Sequence, residues 1–226
     1  MKQQARQSLF RMPPALRAPT LLGLCLAALA ATAAAGAQAE GVASLLARLS
    51  HVPGVSAKFR EEKRIQLLSM PLISEGSVYF TKPPALLRRV DTPEPSRMLL
   101  TQGQLKVWDA SGQRSFELSA NPALRSLAES FLYVLAGDYK ALDRLYVMRF
   151  SGSAEASWKL QLVPKDKALS RLIRDIKLEG DGLRVTTLQL TEASGDVSTT
   201  RFTEVQTNRT FSSTEKSKLF EITHPP

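Results

Sequence analysis

Few side chains in this sequence carry the chemistry of catalysis. It has two histidines, His51 and His224, and one cysteine, Cys25. A histidine can act as general base, nucleophile partner or metal ligand, but each role needs neighbours. Neither histidine has a second ligand at a metal-like spacing, and no G-x-S-x-G elbow offers either a nucleophile. Both read as solvated surface residues. Glu61 and Glu62 come nearest to a carboxylate pair. Adjacent residues point to opposite faces of a strand, however, so they cannot act on one bond. Followed by Lys63-Arg64, the run reads as a solvated rim. There is no glycine loop to cradle phosphate. The sequence reads as a binding protein, not an enzyme, and implies no metal and no cofactor.

The charge is uneven. The 226 residues carry a formal +9, but residues 1–39 hold Lys2, Arg6, Arg11 and Arg17 without a single acid, leaving +5 for the rest. That mild surplus forms no stripe and is not interleaved with aromatics, so nucleic acid is not an expected partner. The basic start is followed by an apolar run from Leu21 to Ala30 and by Ala37-Gln38-Ala39 before Glu40. This is the layout of a secretory signal peptide cleaved after residue 39. The competing reading, an uncleaved anchor, suffers from an apolar run near the lower limit of a span and dominated by alanine at its end. Lipidation at Cys25 would want a small residue before it, and Leu24 stands there. The exported residues 40–226 are then free of cysteine, which suits a bacterial periplasm. They are long enough for one domain that buries roughly 70% of its unfolded surface.

Most of that stretch reads as strands joined by tight turns. Trp158-Lys-Leu-Gln-Leu162 alternates apolar and polar, and Gly76, Val78, Phe80 and Lys82 share one parity of another run. Gln102-Gly103, Ser111-Gly112, Asp181-Gly182 and Ser194-Gly195 punctuate the runs as hairpin signals. About ten such runs with no alternating strand–helix pattern predict one antiparallel meander, curled into a barrel or half-barrel. The prolines at 83–84 and 93–95 flank a short run, Ala85 to Asp91, which reads as an edge or rim.

Two helices interrupt the meander. Val42, Leu45, Leu46 and Leu49 recur at helical spacing. After Asn121-Pro122, residues 123–136 form the clearest helix, with Asn121 as cap and Gly137 as stop. At ~100° per residue Leu124, Leu127, Ala128, Phe131, Leu132 and Leu135 fall within an arc of about 140°, with Arg125, Ser126, Glu129 and Ser130 opposite. That apolar arc must lie on the open end or inner face of the curled sheet. Periodicity alone leaves open whether the space beneath is a filled core or a ligand cavity. Trp108 and Trp158 read as core.

The order of motifs carries more. A short helix leads to Val55-Ser-Ala-Lys-Phe59, then Glu75-Gly-Ser-Val-Tyr-Phe-Thr-Lys-Pro83. Ser96-Arg-Met-Leu-Leu-Thr-Gln-Gly103, Val107-Trp-Asp109, Trp158-Lys-Leu-Gln-Leu-Val-Pro-Lys-Asp166 and Phe220 follow. Over residues 41–226 this resembles the LolA family of outer-membrane lipoprotein carriers. The resemblance implies an unclosed antiparallel β-barrel of about ten or eleven strands, with an N-terminal helix and a mid-chain helical lid over an apolar cavity. It implies a monomeric periplasmic carrier that takes acylated lipoproteins from an inner-membrane transporter to an outer-membrane receptor. The residues expected to hold acyl chains are Phe59, Val78, Phe80, Leu86, Leu99, Leu124, Leu127, Phe131 and Leu135.

One position departs from the family. An arginine that precedes proline and holds the lid is here Lys82, which keeps the charge but loses the planar fork. Lys82 is expected to clasp the lid through backbone carbonyls of the helix region. The continuation Leu86-Leu-Arg-Arg89 also lacks the family's aromatics, which points to a divergent member. Its client would then be another lipid, such as a lipid-linked product. A lipid-processing enzyme on the same scaffold and a solid protein-interaction module are the rival readings.

Overall fold

The computed structural model describes residues 40–220. The expected signal peptide and His224 lie outside the described residues. Helix α1 (residues 40–49) opens the described chain and buries Val42, Leu45, Leu46 and Leu49, the four residues at helical spacing. Six strands then run as a meander: β1 (Gly54–Arg64), β2 (Leu72–Thr81), β3 (Ala85–Thr92), β4 (Ser96–Thr101), β5 (Gln104–Asp109) and β6 (Gly112–Glu117). Helices α2 (Pro122–Ala136) and α3 (Tyr139–Leu145) follow. Five more strands complete the sheet: β7 (Tyr146–Gly152), β8 (Ser157–Pro164), β9 (Ile173–Asp181), β10 (Arg184–Glu192) and β11 (Val197–Gln206). A one-turn helix α4 (Lys167–Ser170) separates β8 from β9, and α5 (Ser213–Phe220) closes the described chain.

All eleven strands form one antiparallel sheet in the order β6-β5-β4-β3-β2-β1-β11-β10-β9-β8-β7. Two meanders are stitched together where β1 pairs with β11, Phe59 opposite Phe202. The sheet does not close: β6 and β7 are its two free edges. The chain leaves at one edge and re-enters at the other, so α2 and α3 form the crossover between them. The turn signals are met. Gly103, Gly182 and Gly195 take φ of 84°, 56° and 99° at hairpin tips, a backbone that penalises any Cβ.

Helix α2 has the ends its sequence predicts. Asn121 Oδ1 accepts the Leu124 N–H at 3.1 Å, and Gly137 stops the helix in the left-handed region at φ 72°. Three short helices were not expected. Asp138 caps α3 by accepting from Ala141 N at 2.9 Å, and Asp166 caps α4 by accepting from Ala168 N at 2.6 Å. The Ala85–Asp91 run is not an edge: β3 sits inside the sheet between β2 and β4. Its prolines fall in the flanking turns, where they cost no ladder hydrogen bond.

The largest core lies beneath α1, α3 and α4 against β7–β9, with Leu45, Leu142, Tyr146, Leu162 and Ile176 essentially buried. A small cluster of Phe80, Leu100, Leu118 and Leu132 holds α2 to the first meander. Another gathers Leu87, Leu99 and Trp108 with Leu219 and Phe220 of α5. Both tryptophans are core, as expected, each with its indole N–H satisfied. Trp108 donates to Gln113 Oε1 at 3.0 Å and Trp158 to the Gly182 carbonyl at 2.8 Å. No described helix is long and apolar enough to cross a membrane.

Candidate functional site: an apolar cavity under two helices

Between the sheet and the helices lies a cavity of about 330 Å³. Leu49 of α1 and Phe131, Val134 and Leu135 of α2 contribute to it from the helical side. Ala57 of β1, Val78 and Phe80 of β2 and Leu86 of β3 contribute from one meander. Leu178, Leu188 and Phe202 contribute from the other. Alternation explains the set, since residues two apart on a strand share a face. The volume sits at the low end of the roughly 300–1,000 Å³ typical of small-ligand sites.

Five of the residues expected from sequence stand on this wall: Val78, Phe80, Leu86, Phe131 and Leu135. The other four do not. Phe59 shares a parity with Ala57, but the Arg88 guanidinium lies over its ring, 4.3 Å from the centroid, and covers it. Leu127 packs on the large core, and Leu124, in the first turn of α2, is 39% exposed. Leu99 is on the other face of the sheet, in the cluster with Leu87 and Trp108. Its neighbours Met98 and Leu100 point inward, so parity places Leu99 outward.

The cavity is not wholly apolar. Arg88 Nη2 donates to Glu61 Oε1 at 3.1 Å and to Ser74 Oγ at 3.2 Å, while Thr200 Oγ1 donates to Glu61 Oε2 at 3.0 Å. Arg88, Glu61, Ser198 and Thr200 all line the cavity. Burial lowers the Arg88 pKa, partly offset by the Glu61 charge. Glu61 is therefore not a rim residue. It extends the inward row of β1 by two positions from Phe59, as Arg88 extends that of β3 from Leu86. That parity is the signal by which the sequence could have revealed both.

The far side of α2 also departs from expectation. Glu129 and Ser130, assigned to a polar outer side, are buried, and Ser130 reaches the cavity wall. Their polar atoms are satisfied, which is what makes burial affordable. Ser130 Oγ donates to Ser126 O at 2.5 Å and pairs with Tyr146 Oη at 2.7 Å. Glu129 accepts from Arg125 Nε at 2.9 Å and from Tyr133 Oη at 2.7 Å. Burial, together with the Glu129 carboxylate, pushes the Tyr133 phenol up to about 12.

Lys82 follows β2 in the turn, and its ammonium donates to the carbonyl of Ser50, just past α1. Its partner is thus the C-terminal end of α1, where orphan carbonyls and the helix dipole favour a cation. It is not α2 itself. The link to α2 is indirect: a Cβ at Gly137 would lie 2.5 Å from Ser50 N and 2.2 Å from Leu46 O, so the end of α2 abuts the end of α1. His51 is exposed, with Nδ1 bonded to Ala47 O at 2.8 Å. Among the described residues, no cluster of three His, Cys, Asp or Glu is placed to hold a metal ion.

Comparison with known proteins gives the following. No curated protein matches the chain in sequence. Among solved structures it is similar to a LolA superfamily protein from Nitrosomonas europaea, at 11% identity over 78% of this chain and 96% of that one, TM-score 0.41. It is also similar to a DUF1329 family protein from Desulfovibrio piger, at 12% identity over 80% and 96% of the two chains, TM-score 0.46. A third likeness is to the Pseudomonas aeruginosa MucA/MucB complex, at 14% identity over 76% of this chain and 59% of that one, TM-score 0.44. None of these three likenesses carries a functional argument. The family match does: residues 33–220, most of the sequence, fit the description "outer membrane lipoprotein carrier protein LolA-like", and the chain belongs to that family.

Proposed function

We propose that this protein is a periplasmic carrier that shelters the acyl chains of a lipoprotein, or of a related lipid, on the way to the outer membrane. Residues 1–39 are the cleaved signal peptide and residues 40–226 the carrier domain. It acts as a monomer, without cofactor or covalent chemistry. An inner-membrane transporter would load it and an outer-membrane receptor would unload it. The observation that supports this most is the cavity itself: a family of carriers, and in this chain an apolar hollow where the sheet and two helices meet.

Moving a methylene from water into such a hollow contributes ~0.8 kcal/mol, so a chain of ordinary length binds without any specific contact. A carrier must also release. Helices that settle back onto the vacated wall offset part of that gain, and their attachment sets the balance between holding and handing over. Val78, Phe80, Leu86, Phe131 and Leu135 form the acyl contact in this reading, and Lys82 fastens the cover.

Mass spectrometry of material extracted from the protein, purified from its own periplasm, tests the proposal, together with titration of a fluorescent fatty acid. Co-purifying acyl compounds and saturable probe binding are expected, and N-terminal sequencing should begin at or near Glu40. A protein that retains no lipid and binds no probe is not a carrier.

A further inference from the structure

The cavity has a direction. Along β1 its wall runs from Val55 and Ala57 to Glu61, four residues beyond Ala57 or about 13 Å at the strand's rise. The same change recurs on two other strands, from Leu86 to Arg88 on β3 and from Phe202 to Thr200 and Ser198 on β11, while β10 and β9 stay apolar there, with Leu190 opposite Ser198 and Ile176 opposite Leu190. One end is hydrocarbon throughout, and the other presents an ion pair and hydroxyls along one side of an otherwise apolar wall. An ion pair set into an apolar wall carries a desolvation cost that its own attraction rarely offsets in full.

The groups at that end are not equally engaged. Both Glu61 oxygens are taken, one by Arg88 and the other by Thr200. Arg88, by contrast, donates to described residues through Nη2 alone. One face of its guanidinium rests on Phe59, which fixes the plane. Nη1 and Nε therefore remain as oriented donors on a group that lines the cavity. A fixed cationic fork with donors to spare, beside a carboxylate already paired to it, favours a ligand oxygen over an ammonium.

We infer that Arg88 is the head-group subsite of the cavity. On the carrier reading above, the ligand is a single-tailed amphiphile whose acceptor oxygen, a carboxylate or an ester carbonyl, is held by the Arg88 guanidinium while its tail lies along Ala57, Val78 and Leu86. The volume of about 330 Å³ suits one such tail at a time. A charge-assisted hydrogen bond in this setting supports about tenfold selection by head group.

Competition against a bound fluorescent fatty acid tests this with three compounds of equal tail length: palmitate, its methyl ester and cetyltrimethylammonium below its micelle concentration. The wild-type protein should prefer the two oxygen-bearing compounds by about tenfold or more. Palmitate above ester identifies a carboxylate ligand, and equal binding identifies a carbonyl. The double variant Arg88→Met/Glu61→Gln, which removes both charges together and leaves neither buried alone, should bind all three alike. Arg88→Lys, which keeps the charge without the fork, should fall between and serves if the double variant does not fold. A wild type indifferent to head group, a preference that survives in the double variant, or one undiminished in Arg88→Lys, overturns the inference and leaves the carrier reading standing. Failure of every compound and of the probe itself removes both.

Discussion

Leu86 and Leu87 are neighbours on β3 with opposite surroundings. Leu86 faces the hollow under α2, while Leu87 faces a cluster closed by Leu99, Trp108, Leu219 and Phe220. Aromatic edges continue that outer seal, Tyr79 against Phe211 at 6.4 Å and Phe211 against Phe220 at 5.7 Å between centroids. Both faces of the strand are apolar, so hydrophobicity alone does not make a binding site. The outer face has large side chains brought onto it by the chain's C-terminal segment. The inner face is spanned by α2, whose anchor residues Leu132 and Ala128 reach the sheet to one side and leave the centre open. A cavity arises where the cover is held at a distance from what it covers.

The contrast breaks most visibly at Trp108. It is 2% exposed in the outer cluster, and Trp108→Ala leaves a void among Leu87, Leu99 and their neighbours. A loss of about 3–5 kcal/mol in urea unfolding is expected, with unchanged probe affinity for each folded molecule. Weakened probe binding by a still-folded variant would show that the two faces are coupled, and the comparison would fail.

Phe131 is the inner counterpart, on the cavity wall at the centre of α2. Phe131→Asp puts a carboxylate where the tail should lie, so at least a tenfold loss of fatty-acid probe affinity is expected. Its stability loss should be smaller than that of Trp108→Ala, because the side chain borders a hollow rather than a packed cluster. Cooperative unfolding of Phe131→Asp would make α2 ordinary core. Either result is read from one circular-dichroism melt and one titration.

These faces also explain how far the sequence could be followed. Over the first six residues of β8 one parity is apolar and the other is Ser157, Lys159 and Gln161, so Trp158, Leu160 and Leu162 could be assigned inward at once, and all three are buried. The capped, glycine-stopped α2 was equally plain. In β3 and β4 both parities are apolar because both faces are covered, and Leu99 could not be told from Leu100 without knowing the outer cover. Glu61 and Arg88 were obscured for the complementary reason: charge reads as solvent-facing unless the partner is visible, and theirs is 27 residues away. Ser130 is satisfied by Tyr146, outside α2 and beyond the reach of helical periodicity, and Glu129 by the Tyr133 hydroxyl one turn on, which an apolar arc does not count.

A smaller effect is expected where the cover is fastened. Lys82→Leu removes the ammonium from the Ser50 carbonyl and from the α1 dipole, worth about 1–2 kcal/mol of stability. Its larger signature should be kinetic, an altered rate of lipid transfer to acceptor vesicles with uptake preserved. Lys82→Arg offers more donors in a fixed geometry and should slow transfer by holding the end of α1 more firmly. Equal rates for wild type and both variants would reduce Lys82 to a rim charge with its stem on the sheet.

The finest probe is the polar lock on the flank of α2. Tyr133 donates to Glu129 at 2.7 Å, and its phenol, ordinarily near 10.0, is held up to about 12 by burial and by that carboxylate. The folded protein thus keeps a proton that the unfolded chain gives up. Stability from this bond is intact below about pH 10 and is lost as pH rises through about 12. The ring is only half-buried, so solvent screening limits the change to about 1 kcal/mol or less. Other tyrosines and the lysines titrate in the same range, and Tyr133→Phe separates them, since it keeps the ring and removes only the titrating hydroxyl. The difference in unfolding free energy between wild type and Tyr133→Phe should stay constant from pH 8 to about 10 and then shrink. If α2 is the cover, fatty-acid probe release should quicken over the same interval in wild type, and less so in the variant. A difference that stays level to pH 12 would show that Glu129 is held by Arg125 alone, and that the outer flank of α2 contributes nothing pH-sensitive to keeping the cavity shut.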